Sequence, residues 1–161
     1  MDILLCNGKG GTGKTTLSVL LAHALAEAGK HVAVLDLDPQ ATATAWLREC
    51  DGGMVAEYDS TTMYDAVFID TPPRIDKLAP ALARCSIAVI VCSPSPADLW
   101  TSRDTAAAIR DKLPAGARLR LLFNGFRSHT VRAPYAPGMP TRRGANPRRS
   151  PPRPPPSSPH P

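Results

Sequence analysis

No acidic residue follows Asp111, no two of the four cysteines form a C-x-x-C pair, and aromatic residues make up only 5% of the chain. The cysteine spacing (Cys6, Cys50, Cys85, Cys92), with no histidine at ligand distance, excludes the common zinc and redox motifs. Cys6, Cys85 and Cys92 sit in or beside apolar runs, where a thiol behaves as a small hydrophobe. No apolar run is long enough to cross a bilayer, since the longest, Leu17 to Ala26, is broken by His23. The N-terminus opens directly on a strand-like run, without a signal-peptide pattern. The expectation is a cytoplasmic protein with no membrane partner.

What is present fits one domain and no more. A chain of 161 residues with 43% apolar and 20% charged residues suits a single soluble core. Proline and charge both divide the chain near residue 127. Of 18 prolines, 11 lie from Arg127 onward. Residues 1–126 carry 12 Lys/Arg and all 14 Asp/Glu, whereas 127–161 carry seven Arg and no acid. The segment Pro-Pro-Arg-Pro-Pro-Pro at 151–156 and its Arg, Ser and Gly surroundings offer too little apolar surface to offset ordering entropy. Residues 1–126 are therefore read as the folded domain, and 127–161 as a disordered, locally polyproline-like tail.

Within 1–126, short apolar runs alternate with helical patterns, as in βαβ units around a parallel sheet. The runs are Ile3–Cys6, Val32–Leu35, Ala66–Ile69, Ile87–Val91 and Leu119–Phe123, apolar without alternation, as strands covered on both faces should be. Thr15 to Ala28 predicts a helix with Leu17, Leu20, Leu21, Ala24, Leu25 and Ala28 on its inner face and Gly29 after its end. Ser95-Pro96-Ala97-Asp98 reads as a helix start, with Ser95 as N-cap, opening a helix to about Leu113. Right-handed crossovers then give a doubly wound α/β sheet with helices on both faces. Its ligand edge lies at the C-terminal ends of the strands.

At that edge, Gly8-Lys9-Gly10-Gly11-Thr12-Gly13-Lys14-Thr15 fits G-x-x-x-x-G-K-[ST] between a strand and a helix. Glycines let backbone amides curl around phosphate oxygens, and the helix N-terminus adds partial positive charge. Lys14 would reach the β- and γ-phosphates, and the Thr15 hydroxyl would ligate Mg²⁺. Tyr64 to Asp70 is an apolar strand ending in a carboxylate, the Walker B pattern. Asp70 would hold Mg²⁺ through water, and Thr71-Pro72-Pro73 would begin a switch loop.

Lys9 is an extra cation within this loop. The run Lys9-Gly10-Gly11-Thr12-Gly13-Lys14-Thr15-Thr16 resembles the deviant Walker A motif of the ParA/MinD superfamily of P-loop ATPases. That resemblance implies a nucleotide-sandwich homodimer in which Lys9 reaches the partner's phosphates. Asp36-Leu37-Asp38-Pro39-Gln40 is similar to the family's second motif, which implies that Asp38 positions the attacking water. Asp36 is read as either a switch or a hydrogen-bonding residue. Pro94-Ser95-Pro96-Ala97-Asp98-Leu99-Trp100 looks like the small ParA-type partition ATPases, with Trp100 as a core or dimer-face anchor. By the same resemblance, Asn124 stands where relatives contact adenine. The implied function is a Mg·ATP-dependent ATPase. It would dimerise on ATP, bind DNA non-specifically on the nucleoid, and respond to a ParB-like partner in DNA segregation.

The resemblance covers residues 1 to about 126, with two departures. Between Asp38 and Asp70, where relatives fit a strand and a helix, only Met54 to Tyr58 reads as a short strand. Past the fifth strand, the proline/arginine tail replaces further family elements, so the fold is expected to be C-terminally incomplete. Such a tail, with arginine as its only cation, is what an out-of-frame GC-rich gene yields; the alternative is a basic arm holding nucleic-acid phosphates. With Tyr135 its single aromatic, the tail has no stacking pattern for a specific reader. The competing reading from another class is a nucleotide-binding remnant without turnover. A membrane-surface regulator of the MinD branch would need a terminal amphipathic helix, which Pro134, Pro137, Pro140 and Pro147 forbid.

Overall fold

The computed structural model describes residues 1–50 and 52–125, with the side chain of Cys50 left out; the expected 127–161 tail lies outside the described residues. Among the described residues, six strands form one parallel sheet: β1 (Asp2–Cys6), β2 (Val32–Asp36), β3 (Ala56–Glu57), β4 (Ala66–Asp70), β5 (Ile87–Cys92) and β6 (Arg118–Phe123). Their order across the sheet is β3-β2-β4-β1-β5-β6, so the strand leading into the phosphate loop is internal. Four helices connect them: α1 (Lys14–Glu27), α2 (Thr42–Cys50), α3 (Ala79–Arg84) and α4 (Pro96–Arg110). A 3-10 turn, Ile75–Lys77, precedes α3.

Two apolar layers explain why the strands read as continuous apolar runs. Successive residues of a strand face opposite sides of the sheet. Ile3 and Leu5 accordingly join one buried cluster with Val19, Val34, Leu47 and Phe68, on the side of α1 and α2. Leu4 and Cys6 join the other, with Ile69, Leu82, Ile90 and Ile109, on the side of α3 and α4. Cys6, Cys85 and Cys92 are buried free thiols, and burial pushes the Cys6 thiol up to about 12. Among the described residues, no helix is long and apolar enough to cross a membrane.

Several expectations need correction. Helix α1 buries Lys14, Ser18, Val19 and Ala22, while Leu20 is 52% exposed and Ala24 and Ala28 are also outside. Leu17, Leu21 and Leu25 pack only partly. The helix is apolar on nearly every side, so periodicity could not single out its inner face. Between Asp38 and Asp70 the chain does contain a helix, α2, which buries Ala43 and Leu47, followed by a strand of just two residues, Ala56 and Glu57. Trp100 is not a core residue, being 68% exposed. Helix α4 stops at Arg110, three residues short of Leu113. Its start is as read: Ser95 caps it, accepting the Asp98 amide at 3.2 Å, and Gly29 takes the left-handed conformation after α1.

Candidate functional site

The C-terminal ends of β1, β2 and β4 bring the sequence motifs together. Asp36 and Asp70 are register partners on adjacent strands, so two carboxylates close the sheet edge side by side. The loop from Gly8 leads from β1 into α1, whose N-cap is Gly13 in a left-handed conformation (φ 94°, ψ 22°) without a side-chain cap. The first amides of an α-helix have no intrahelical acceptor. Uncapped as it is, α1 therefore presents its amides and the positive end of its dipole at this edge. Gly13 is required twice over, because a Cβ there would also collide with Asn124 Nδ2.

Lys14 is buried, and its ammonium donates to the Lys9 carbonyl at 3.1 Å. Burial lowers its pKa, against the attraction of Asp70 and Asp38. Asp70 is 0% exposed. One oxygen lies 3.4 Å from the Ser18 hydroxyl, while Oδ2 is buried without any partner. Burial raises this carboxyl to about 6, opposed first by a hydrogen bond from Thr15 and augmented by nearby Asp36. A buried, half-satisfied carboxylate beside a threonine hydroxyl is the donor chemistry of a hard divalent cation such as Mg²⁺. Among the described residues, no group of three His, Cys, Asp or Glu suits a metal, so the remaining ligands of such a cation would be waters and phosphate oxygens.

The other predicted residues take distinct places. Asp38 is half-buried, and its Oδ1 accepts the Gln40 amide at 3.0 Å. Asp36 is a hydrogen-bonding residue: it accepts the Asp38 amide and, through its other oxygen, the Thr44 amide at 3.0 Å each, fixing the start of α2. The Asn124 side chain donates to the Thr12 carbonyl at 2.9 Å, bracing the loop from β6. Thr12 is buried with its hydroxyl unpartnered, whereas Thr16 faces outward. Gly10 and Gly11 are exposed on the loop, and Gly8 lies against Ile75 of the 3-10 turn. Lys9 forms an ion pair with Asp98 of α4.

Sequence reasoning missed the residues that hold the loop from behind. Asn7 is 1% exposed. Its Nδ2 donates to the Val91 carbonyl at 2.7 Å and Ser102 Oγ at 3.2 Å, while its Oδ1 accepts the Lys9 amide at 3.0 Å. Thr105 Oγ1 accepts the Gly8 amide at 3.2 Å. The available signal was an asparagine directly preceding the first loop glycine. Asn7→Ala strands the Val91 carbonyl and the Ser102 hydroxyl in buried positions and should cost about 2–4 kcal/mol, read as a lower urea midpoint with unchanged slope. A loss below 0.5 kcal/mol would show that the loop does not depend on it.

Known proteins resemble this arrangement. The profile of the CobQ/CobB/MinD/ParA nucleotide binding domain matches residues 3–138. Maintenance of carboxysome distribution protein A of Gloeobacter kilaueensis is 34% identical over 135 residues, covering 75% of this chain and 61% of that protein. The chain thus spans about three-fifths of that relative's length. A plasmid partition protein of Borrelia burgdorferi superposes with a TM-score of 0.68 at 18% identity, covering 80% of each chain. Cobyrinic acid a,c-diamide synthase of Mycobacterium smegmatis, solved with bound ADP and magnesium, superposes with a TM-score of 0.61 at 18% identity over 80% of this chain and 76% of its own. These two likenesses establish the α/β fold with its six-stranded parallel sheet.

Proposed function

We propose, from the premise that this chain belongs to the CobQ/CobB/MinD/ParA family of nucleotide-binding domains, that it binds Mg·ATP at the Gly8–Thr15 loop and hydrolyses it as a partition-type ATPase. The observation that carries this reading is the unpartnered Asp70 carboxylate oxygen, buried beside Thr15 and Lys14 at the uncapped start of α1. Thr15 and Asp70 would hold Mg²⁺, which when bound supplies charge neutralisation to the phosphate oxygens. The loop amides and Lys14 would bind the β- and γ-phosphates, and Asp38 would orient the attacking water. Phosphoryl transfer needs little beyond such positioning and electrostatic stabilisation. Asn124, seated on the loop, would border the base.

Partition chemistry adds a homodimer that traps nucleotide, with Lys9 reaching the partner chain's phosphate. Non-specific DNA and a ParB-like stimulating protein would act on that dimer, giving a nucleoid location. Support comes from the Lys9 position within the motif and from the partition protein among the structural likenesses. Sedimentation with Mg·ATP against Mg·ADP tests it. A doubling of mass with ATP alone, accompanied by slow phosphate release, is expected. Nucleotide binding without dimer or phosphate release would instead identify a non-hydrolysing nucleotide-binding protein.

A further inference from the structure

Helix α4 carries a buried polar stripe. Asp98, Ser102 and Thr105 are spaced four and three residues apart, so they share one helix face, and all three are buried. Each grips a successive residue at the start of the loop: Ser102 meets Asn7, Thr105 meets the Gly8 amide, and Asp98 meets the Lys9 ammonium. The third contact differs in kind, because it joins two charges and immobilises a long side chain. The Lys9 side chain is 45% exposed, enough to stand in solvent, whereas that of Asp98 is 5% exposed. The second Asp98 oxygen accepts the Ser93 hydroxyl. Burial works to raise the Asp98 carboxyl, but hydrogen bonds from Lys9 and Ser93 outweigh it and hold the group below its ordinary value.

We propose that Asp98 is a positioning residue that stores Lys9 in cis and competes with phosphate for it. This rests on the nucleotide reading above and adds a regulatory step to the same site. A Lys9 that leaves Asp98 abandons a buried carboxylate to the hydroxyls of Ser93 and Ser95, a charge with no counter-charge. Departure is favourable when a phosphate anion receives the ammonium in exchange. The pair therefore opposes release of Lys9 in the nucleotide-free chain and biases it toward the nucleotide-loaded one.

Two measurements test this separately. In the nucleotide-free protein, carboxyl-carbon NMR titration should show the Asp98 midpoint rising on Lys9→Ala, and an unmoved midpoint overturns the storage contact. In sedimentation, Asp98→Asn should lower the Mg·ATP concentration for half-maximal dimer by roughly threefold to tenfold, since one partner is partly solvated. Ser93→Ala keeps the carboxylate and the helix cap but removes a hydrogen bond that would remain after Lys9 departs, and should raise the requirement. An unchanged or higher requirement in Asp98→Asn, or a lower one in Ser93→Ala, overturns the competition. A parent chain that ignores nucleotide overturns the functional reading and the release step together, while the titration still decides whether Lys9 is stored.

Discussion

Asp70→Asn is expected to make the nucleotide-free protein more stable at pH 7, by about 1–3 kcal/mol, while removing its dependence on Mg²⁺. Asp70 is wholly buried, and its carboxyl is raised from 3.8 to about 6, chiefly by burial. The folded form therefore binds the proton more tightly than the unfolded chain. Stability from this group is fully present below about pH 4, falls between pH 4 and 6, and stays low above. Keeping the carboxylate charged at pH 7 costs about 3 kcal/mol, from which an amide recovers less, because its NH₂ inherits the position with no acceptor. Thermal unfolding from pH 4 to 8 checks this: the parent should lose stability as pH rises through 6, and Asp70→Asn should lack that part of the slope. Added Mg·ATP should stabilise the parent and leave the variant with a smaller, Mg²⁺-independent response. A variant less stable than the parent at pH 7 would show that the carboxylate is not the strained group described.

Lys14→Ala should abolish the nucleotide response altogether. A ligand at 100 times Kd stabilises the form that binds it by about 2.7 kcal/mol, which for a domain of this size is a rise in Tm of roughly 10 °C. Lys14 is the buried cation at the mouth of the loop, and among the described residues no other lysine or arginine is buried to take its place. Its removal also relieves the cost of burying an ammonium, so the nucleotide-free variant should stay within about 1 kcal/mol of the parent. A folded chain indifferent to Mg·ATP is the expected outcome, with phosphate release reduced to background. A Tm rise undiminished in Lys14→Ala would place the nucleotide elsewhere. The two variants have different signatures, since one loses the cation's contribution and the other the phosphate's.

The glycine-rich loop between β1 and α1 was legible as a loop because its requirements are local: glycines where the backbone turns left-handed, then a helix start. Strands β1, β2, β4 and β5 were legible because two covering layers leave no place for polar alternation. Helix α2 was not, for its anchors are just Ala43 and Leu47, and its start is fixed by Asp36, eight residues upstream of Thr44. Ala41, at φ 50°, enters that helix through a conformation no rule assigns to alanine. The α4 stripe was hidden for the opposite reason. Asp98, Ser102 and Thr105 are polar residues at helical spacing, and their burial follows from the loop packed across them. Of the two readings of Trp100, core or dimer-face anchor, the core one fails because the polar face of α4 points inward and the tryptophan outward.

The internal place of β1 has a consequence for how the protein is made. Each hydrogen-bonded neighbour of β1 comes from far along the chain, as Leu4 pairs with Ile69 and with Ala88. Asn7 is tied to the Val91 carbonyl 84 residues away, and Asn124 to the Thr12 carbonyl across 112. Such long closures slow folding, and parallel pairing cannot be nucleated by a hairpin. During translation the loop after β1 thus leaves the ribosome well before β4, β5 and β6, and waits for its neighbours. Until β4 has emerged, its apolar strand has no partner to pair with, and until β5 follows one edge of β1 stays open, so the nascent chain depends on whatever shields that edge in the meantime.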